Sequence, residues 1–145
     1  TADDSSVTEI AAGSGLFGPH LFDQYSHFTP APAAAFALAV GRKFSSQIAT
    51  MHGGGWIASG DPSPDRMPQP AWPEGLKFLP REGAGEVQSP LTGPAAEHLE
   101  VGDRVWFRHT KAGELSEHLT EFAVVAEGRI IDTVPTYRGE GKAFL

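Results

Sequence analysis

The chain contains no cysteine, which excludes disulfide frameworks, thiol nucleophiles and every zinc or iron–sulfur site built on thiolates. Positive charge is also scarce. Eleven Lys and Arg stand against 18 Asp and Glu, a net charge of -7, so there is no electrostatic footprint for nucleic-acid phosphates. No apolar run approaches the roughly 20 residues that span a bilayer. The opening TADDSSVTEI lacks the basic and apolar regions of a signal peptide. These absences point to a soluble cytoplasmic protein with no nucleic-acid or membrane partner. Thr1 stands where an initiator Met would, as in a trimmed or excised chain.

What is present is one domain's worth of chain, 145 residues, with 17 Gly and 12 Pro. Residues so rich in chain breakers, about a fifth of the total, exclude a coiled coil and disfavour a helix bundle. VTEI at Val7–Ile10 reads as a short strand running into AAGSGLFGP, where Gly13, Gly15, Gly18 and Pro19 rule out a continuous helix. Residues 33–40 and 47–52 read as strands. Residues 53–94 hold most of the prolines and show no useful period, so they read as a long loop, packed through Trp56, Trp72 and Phe78. In LEVGDRVWFRH a Gly-Asp turn precedes an alternating run, with Val105 and Phe107 on one side and Trp106 and Arg108 on the other. KAGELSEHL offers a turn or two of helix, and FAVVAEGRIIDTV reads as a hairpin turning at Glu127-Gly128. The fold class expected is mostly β: a small antiparallel barrel or sandwich with long Pro/Gly-rich loops and one or two short helices.

The six histidines are scattered, and none forms a metal motif of known spacing. His109 stands out because Lys111 and Glu114 follow within one short turn, crowding an imidazole, an ammonium and a carboxylate. The alternative is a surface ion pair of Lys111 with Glu114 or Glu117. AAGSGLFG has the composition of an anion cradle, or of a plain glycine turn. HGGGWIASG invites an esterase comparison, but no GxSxG elbow accompanies it. Tyr137 and Arg138 sit in a glycine-rich turn where the Arg either grips a carboxylate or is solvated.

Through VTEIAAGSGLFG, GGGWIASG, GAGEVQSP, GDRVWFRHTKAGELSEHLTEF and VPTYRGEGKAF, the chain resembles the C-terminal domain of pyridoxal-phosphate (PLP) enzymes of the alanine racemase fold. The similarity is to the amino acid deaminase/aldolase branch, related to D-threonine aldolase and D-serine dehydratase. The resemblance implies that residues 1–18 are the last strand and phosphate loop of a (β/α)8 barrel otherwise absent from the chain, and that residues 19–145 are the β domain. It implies that Gly13 and Ser14 help to hold the cofactor phosphate, and that His109, Lys111 and Glu114 line the site of a small D-amino acid. It also places a metal-ligating His at His109, with Lys111 where relatives carry a second ligand, Cys or Asp. An ammonium there would repel a divalent cation, so either the metal is absent or groups such as Glu114 complete its site. None of Lys43, Lys77, Lys111 and Lys142 matches the Schiff-base lysine, which in this fold belongs to the barrel, so the chain alone should be inactive. The expected role is closure of an active site in a homodimer. The alternative is a free-standing β-domain binding a small acidic ligand or a protein partner.

Overall fold

The computed structural model describes residues 6–11, 13–61 and 63–142. Six strands form one antiparallel sheet: β1 (Phe36–Ser45), β2 (Ile48–His52), β3 (Gln69–Trp72), β4 (Lys77–Phe78), β5 (Gln88–Thr92) and β6 (Arg104–Arg108). Their order is β3-β6-β1-β2-β5-β4. Its two outer strands are consecutive in sequence and only four residues apart, so the sheet curls until its edges meet as a nearly closed barrel. The bend is built into β1, whose first half pairs with β6 and whose second half pairs with β2 across two irregularities in register. Gly41 lies at one of them, and a Cβ there would overlap the His52 ring.

The core follows from strand parity. Val105 and Phe107 point inward and are 0% and 1% exposed, while Trp106 between them is 46% exposed. Phe107 stacks on Phe36 at 5.3 Å and on Phe78 at 6.1 Å, and Phe36 meets Trp56 at 4.2 Å. Val40, Met51, Leu91 and Leu115 fill the rest of the interior.

The remaining elements are α1 (Ala112–His118), four short 3-10 turns, and a separate hairpin of β7 (Glu121–Ala126) and β8 (Arg129–Pro135). The hairpin turns at Glu127-Gly128 as expected, both residues taking positive φ, 50° and 72°. Thr136 clasps its base: the Thr136 N–H donates to the Thr120 carbonyl at 3.0 Å and its hydroxyl donates to the Leu119 carbonyl.

Three expectations are corrected. Residues 53–94 hold three strands rather than one loop. Pro70 and Pro90 are accommodated inside β3 and β5, and the strands are only two to five residues long, too short to show a period. Of the aromatics expected to anchor that region, Trp56 and Phe78 pack inward, but Trp72 is exposed. Val7–Ile10, expected as a short strand, is irregular in the described chain. Phe107→Ala should lower stability by about 3–5 kcal/mol in urea unfolding, and Trp106→Ala by clearly less; equal losses would contradict the inward parity of β6.

Candidate active site

β6 delivers His109 at its end, and the period of two that buries Val105 and Phe107 carries the imidazole inward as well, to 2% exposure. A segment from earlier in the chain closes over it. The Phe17 ring meets the imidazole edge-on at 6.1 Å and also touches Phe122 of β7. The His20 N–H donates to the His109 carbonyl at 3.1 Å. Arg108 fastens the same segment, donating from Nη1 and Nη2 to both carboxylate oxygens of Asp23 at 2.5 and 2.8 Å and from Nη2 to the Gly18 carbonyl at 3.1 Å.

Under this cover neither ring nitrogen of His109 makes a well-formed hydrogen bond among the described residues, although the Lys111 and Phe17 backbones lie near enough to act on the ring. Buried polar atoms are rarely left so. Burial pushes the His109 pKa below its ordinary value, and the backbones of Lys111 and Phe17 only partly offset this. Burial therefore favours the neutral imidazole.

Beyond His109 the chain passes through Thr110, whose hydroxyl donates to the Met67 carbonyl at 2.9 Å. His20 Nε2 approaches the same carbonyl at 2.8 Å and Thr110 Oγ1 at 2.9 Å, which joins three segments. Lys111 does not pair with Glu114 or Glu117. Its amine donates to the carbonyl and hydroxyl of Ser59 at 3.0 and 2.9 Å, because its extended backbone ahead of α1 directs it to the loop after β2. Glu114 lies in the first turn of α1 with Oε2 buried and unpartnered. The helix end is held by the C-terminal turn, where Tyr137 Oη donates to the Gly113 carbonyl at 3.1 Å and Arg138 Nε donates to the Glu117 carbonyl. The Arg138 Nε–H is thus spent on the helix, a use the sequence does not reveal. His118 donates from Nδ1 to the Glu114 carbonyl at 2.6 Å and stacks on Trp56 at 4.8 Å, linking α1 to the core aromatics.

Gly13 and Ser14 open the 3-10 turn Ser14–Leu16, which ends against Phe17 and so beside His109. A Cβ at Gly13 would meet nothing within 4 Å, so the backbone there is open to an approaching group. Among the described residues no three His, Asp or Glu side chains are grouped to hold a metal ion, so His109 and Glu114 do not by themselves make a cation site.

The sequence matches no known family model and no curated protein. Among solved structures, the crystal structure of D-threonine aldolase from Filomicrobium marinum is similar, with a TM-score of 0.61 and 17% identity over 77% of this chain. The two share a fold. The chain spans 29% of that aldolase's length. Among the described residues no helix is long and apolar enough to cross a membrane.

Sequence reasoning missed Phe17, His20, Thr110 and Ser59, which build the walls of the site. Each depends on contacts between segments distant in the chain, and only the glycines around Phe17 mark a close backbone approach.

The depressed His109 pKa makes a signed prediction. Protons bind the unfolded imidazole more readily than the folded one, so the His109 contribution to stability is complete above the unfolded pKa, about 6.5, and is lost as pH falls through the folded value. His109→Leu should flatten the decline in urea-unfolding stability between pH 7 and pH 5 without lowering stability at pH 7; an unchanged pH slope would show that other groups cause it.

Proposed function

We propose that this chain is the β-rich, site-closing part of a pyridoxal-phosphate-dependent lyase or racemase acting on small D-amino acids, as a deaminase or aldolase. The observation that carries the reading is the likeness in fold to D-threonine aldolase, together with a buried imidazole whose two nitrogens make no well-formed hydrogen bond among the described residues. The residues present fit the cofactor at its phosphate end. Gly13, where a Cβ would meet nothing within 4 Å, leaves its backbone approachable at the start of the turn that leads to Phe17, which supports a phosphate held there with Ser14. When bound, the cofactor supplies the electron sink for bond cleavage at the amino acid Cα.

The roles of this chain's own residues follow from their environments. Neutral His109 can accept a proton at its unprotonated ring nitrogen, from a substrate hydroxyl or Cα, and hold it away from water under Phe17. Lys111 supplies a fixed positive charge where a metal ligand would stand in relatives, orienting a substrate hydroxyl or carboxylate. Glu114 Oε2, buried and unpartnered, can accept a hydrogen bond from substrate. The site closes at a dimer interface, and the exposed apolar residues of the β7–β8 hairpin, Val125, Ile130 and Ile131, favour self-association.

In the full-length protein with cofactor added, His109→Leu should lower kcat on D-threonine or D-serine by about 10²- to 10⁴-fold, and Lys111→Met should chiefly raise KM. A chelator should leave activity unchanged. Stoichiometric metal bound at His109 would end the role given to Lys111, and absence of any turnover of D-amino acids would end the lyase reading. Light scattering should report a dimer; a monomer at high concentration would remove the interface.

A further inference from the structure

A second group of unspent donors lies on the loop between β2 and β3. Arg66 ends the 3-10 turn Pro64–Arg66, and its carbonyl accepts the Ala58 N–H at 2.8 Å, tying the two arms of the loop together. Its guanidinium rests against Gly60: a Cβ there would stand 3.1 Å from Arg66 Cζ and Nε and 3.3 Å from Nη2, and Gly60 takes φ +127°. Nε is buried against this backbone without a partner. Neither Nη1 nor Nη2 makes a hydrogen bond or an ion pair among the described residues, and both remain outside the buried set. The guanidinium thus lies in the space a side chain at residue 60 would need, with its outer fork unused among the described residues.

The neighbouring carboxylate does not neutralise it. Asp65 accepts the Ser63 hydroxyl at Oδ1, and this bond is the main reason its carboxyl lies below the ordinary pKa. Arg66 lowers it further through charge alone, with no ion pair.

The residue before Gly60 is Ser59, which holds the Lys111 amine through both its oxygens. Lys111 Nζ lies 3.0 Å from the Ser59 carbonyl oxygen and the Arg66 guanidinium lies beside the next residue, Gly60, so the bonds between them keep Nζ and Arg66 Cζ within about 12 Å of each other. Two cations thus share one dipeptide as a mount, and neither is paired with a carboxylate among the described residues. The net charge of -7 gives the chain no general attraction for anions, so affinity here has to be local.

We propose that Arg66 and Lys111 form a carboxylate-binding subsite, with the two Nη groups of Arg66 gripping the carboxylate oxygens side by side and Lys111 supplying the second positive charge. A planar two-oxygen anion matches the guanidinium fork, which a lysine in its place would not. The subsite deepens the carboxylate-orienting role given above to Lys111, and to that extent rests on that reading, while Arg66 is new to it.

The test is a titration of isotope-labelled full-length protein, without cofactor, with sodium acetate against sodium chloride of equal ionic strength, following the backbone amides of Ser59 and Gly60 by NMR. A saturable shift specific to acetate is expected. It should weaken at least tenfold in Arg66→Gln and in Lys111→Met while signals elsewhere keep their positions, with Arg66→Lys serving if Arg66→Gln unfolds. No saturable shift, a shift that survives loss of either cation, or tighter binding of inorganic phosphate than of acetate would overturn the assignment. Absence of D-amino acid turnover in the cofactor-loaded full-length protein, with acetate binding intact, would count against the lyase reading alone.

Discussion

Everything at the site depends on the parity of β6. With Val105 and Phe107 committed to the barrel interior, His109, just past the strand's end, continues inward and is covered together with Thr110 by the segment at Phe17 and His20. A polar ring is thereby placed among apolar neighbours at the end of a strand, where no ladder partner reaches its nitrogens. Desolvation keeps it uncharged. The free energy that binds the core thereby keeps this imidazole uncharged into more acidic solution than water alone would allow.

The segment holding Phe17, Pro19 and His20 turns that constraint into an enclosed site. It is fastened on three sides: to β6 through Arg108 and Asp23, to the His109 carbonyl through the His20 N–H, and to its own continuation through the Ala33 N–H on the Phe17 carbonyl at 3.0 Å. Thr110 and Met67 then draw the proline-rich loop against the same place. Four stretches of chain far apart in sequence thus meet around one ring, and a line of aromatics from Phe78 through Phe107, Phe36 and Trp56 to His118 fixes α1 relative to the barrel.

What was legible in the sequence was whatever has a local cause. The alternation of β6, the Glu127-Gly128 turn and the helix-forming AGELSEH each carry their instructions within a few residues, and the position of His109 follows from the first of them. Strands β3 to β5 were hidden because prolines occupy two of them and the third has two residues; their existence is decided by the neighbours that pair with them. The ammonium of Lys111 was misjudged for a similar reason, since a nearby glutamate in sequence is a poorer guide than the Ser59 oxygens brought in by a loop some fifty positions away. Arg66 gave no signal at all, because an unspent guanidinium can be recognised only after every candidate acceptor has been placed.

The β7–β8 ribbon belongs to no other sheet, and its tip is remote from the barrel's packing. Because the Thr120 and Thr136 clasp holds both legs at the root, residues lengthened or exchanged around Glu127-Gly128 would leave the barrel and the imidazole's enclosure intact. Selection can therefore remodel that end of the molecule for new neighbours without renegotiating the interior.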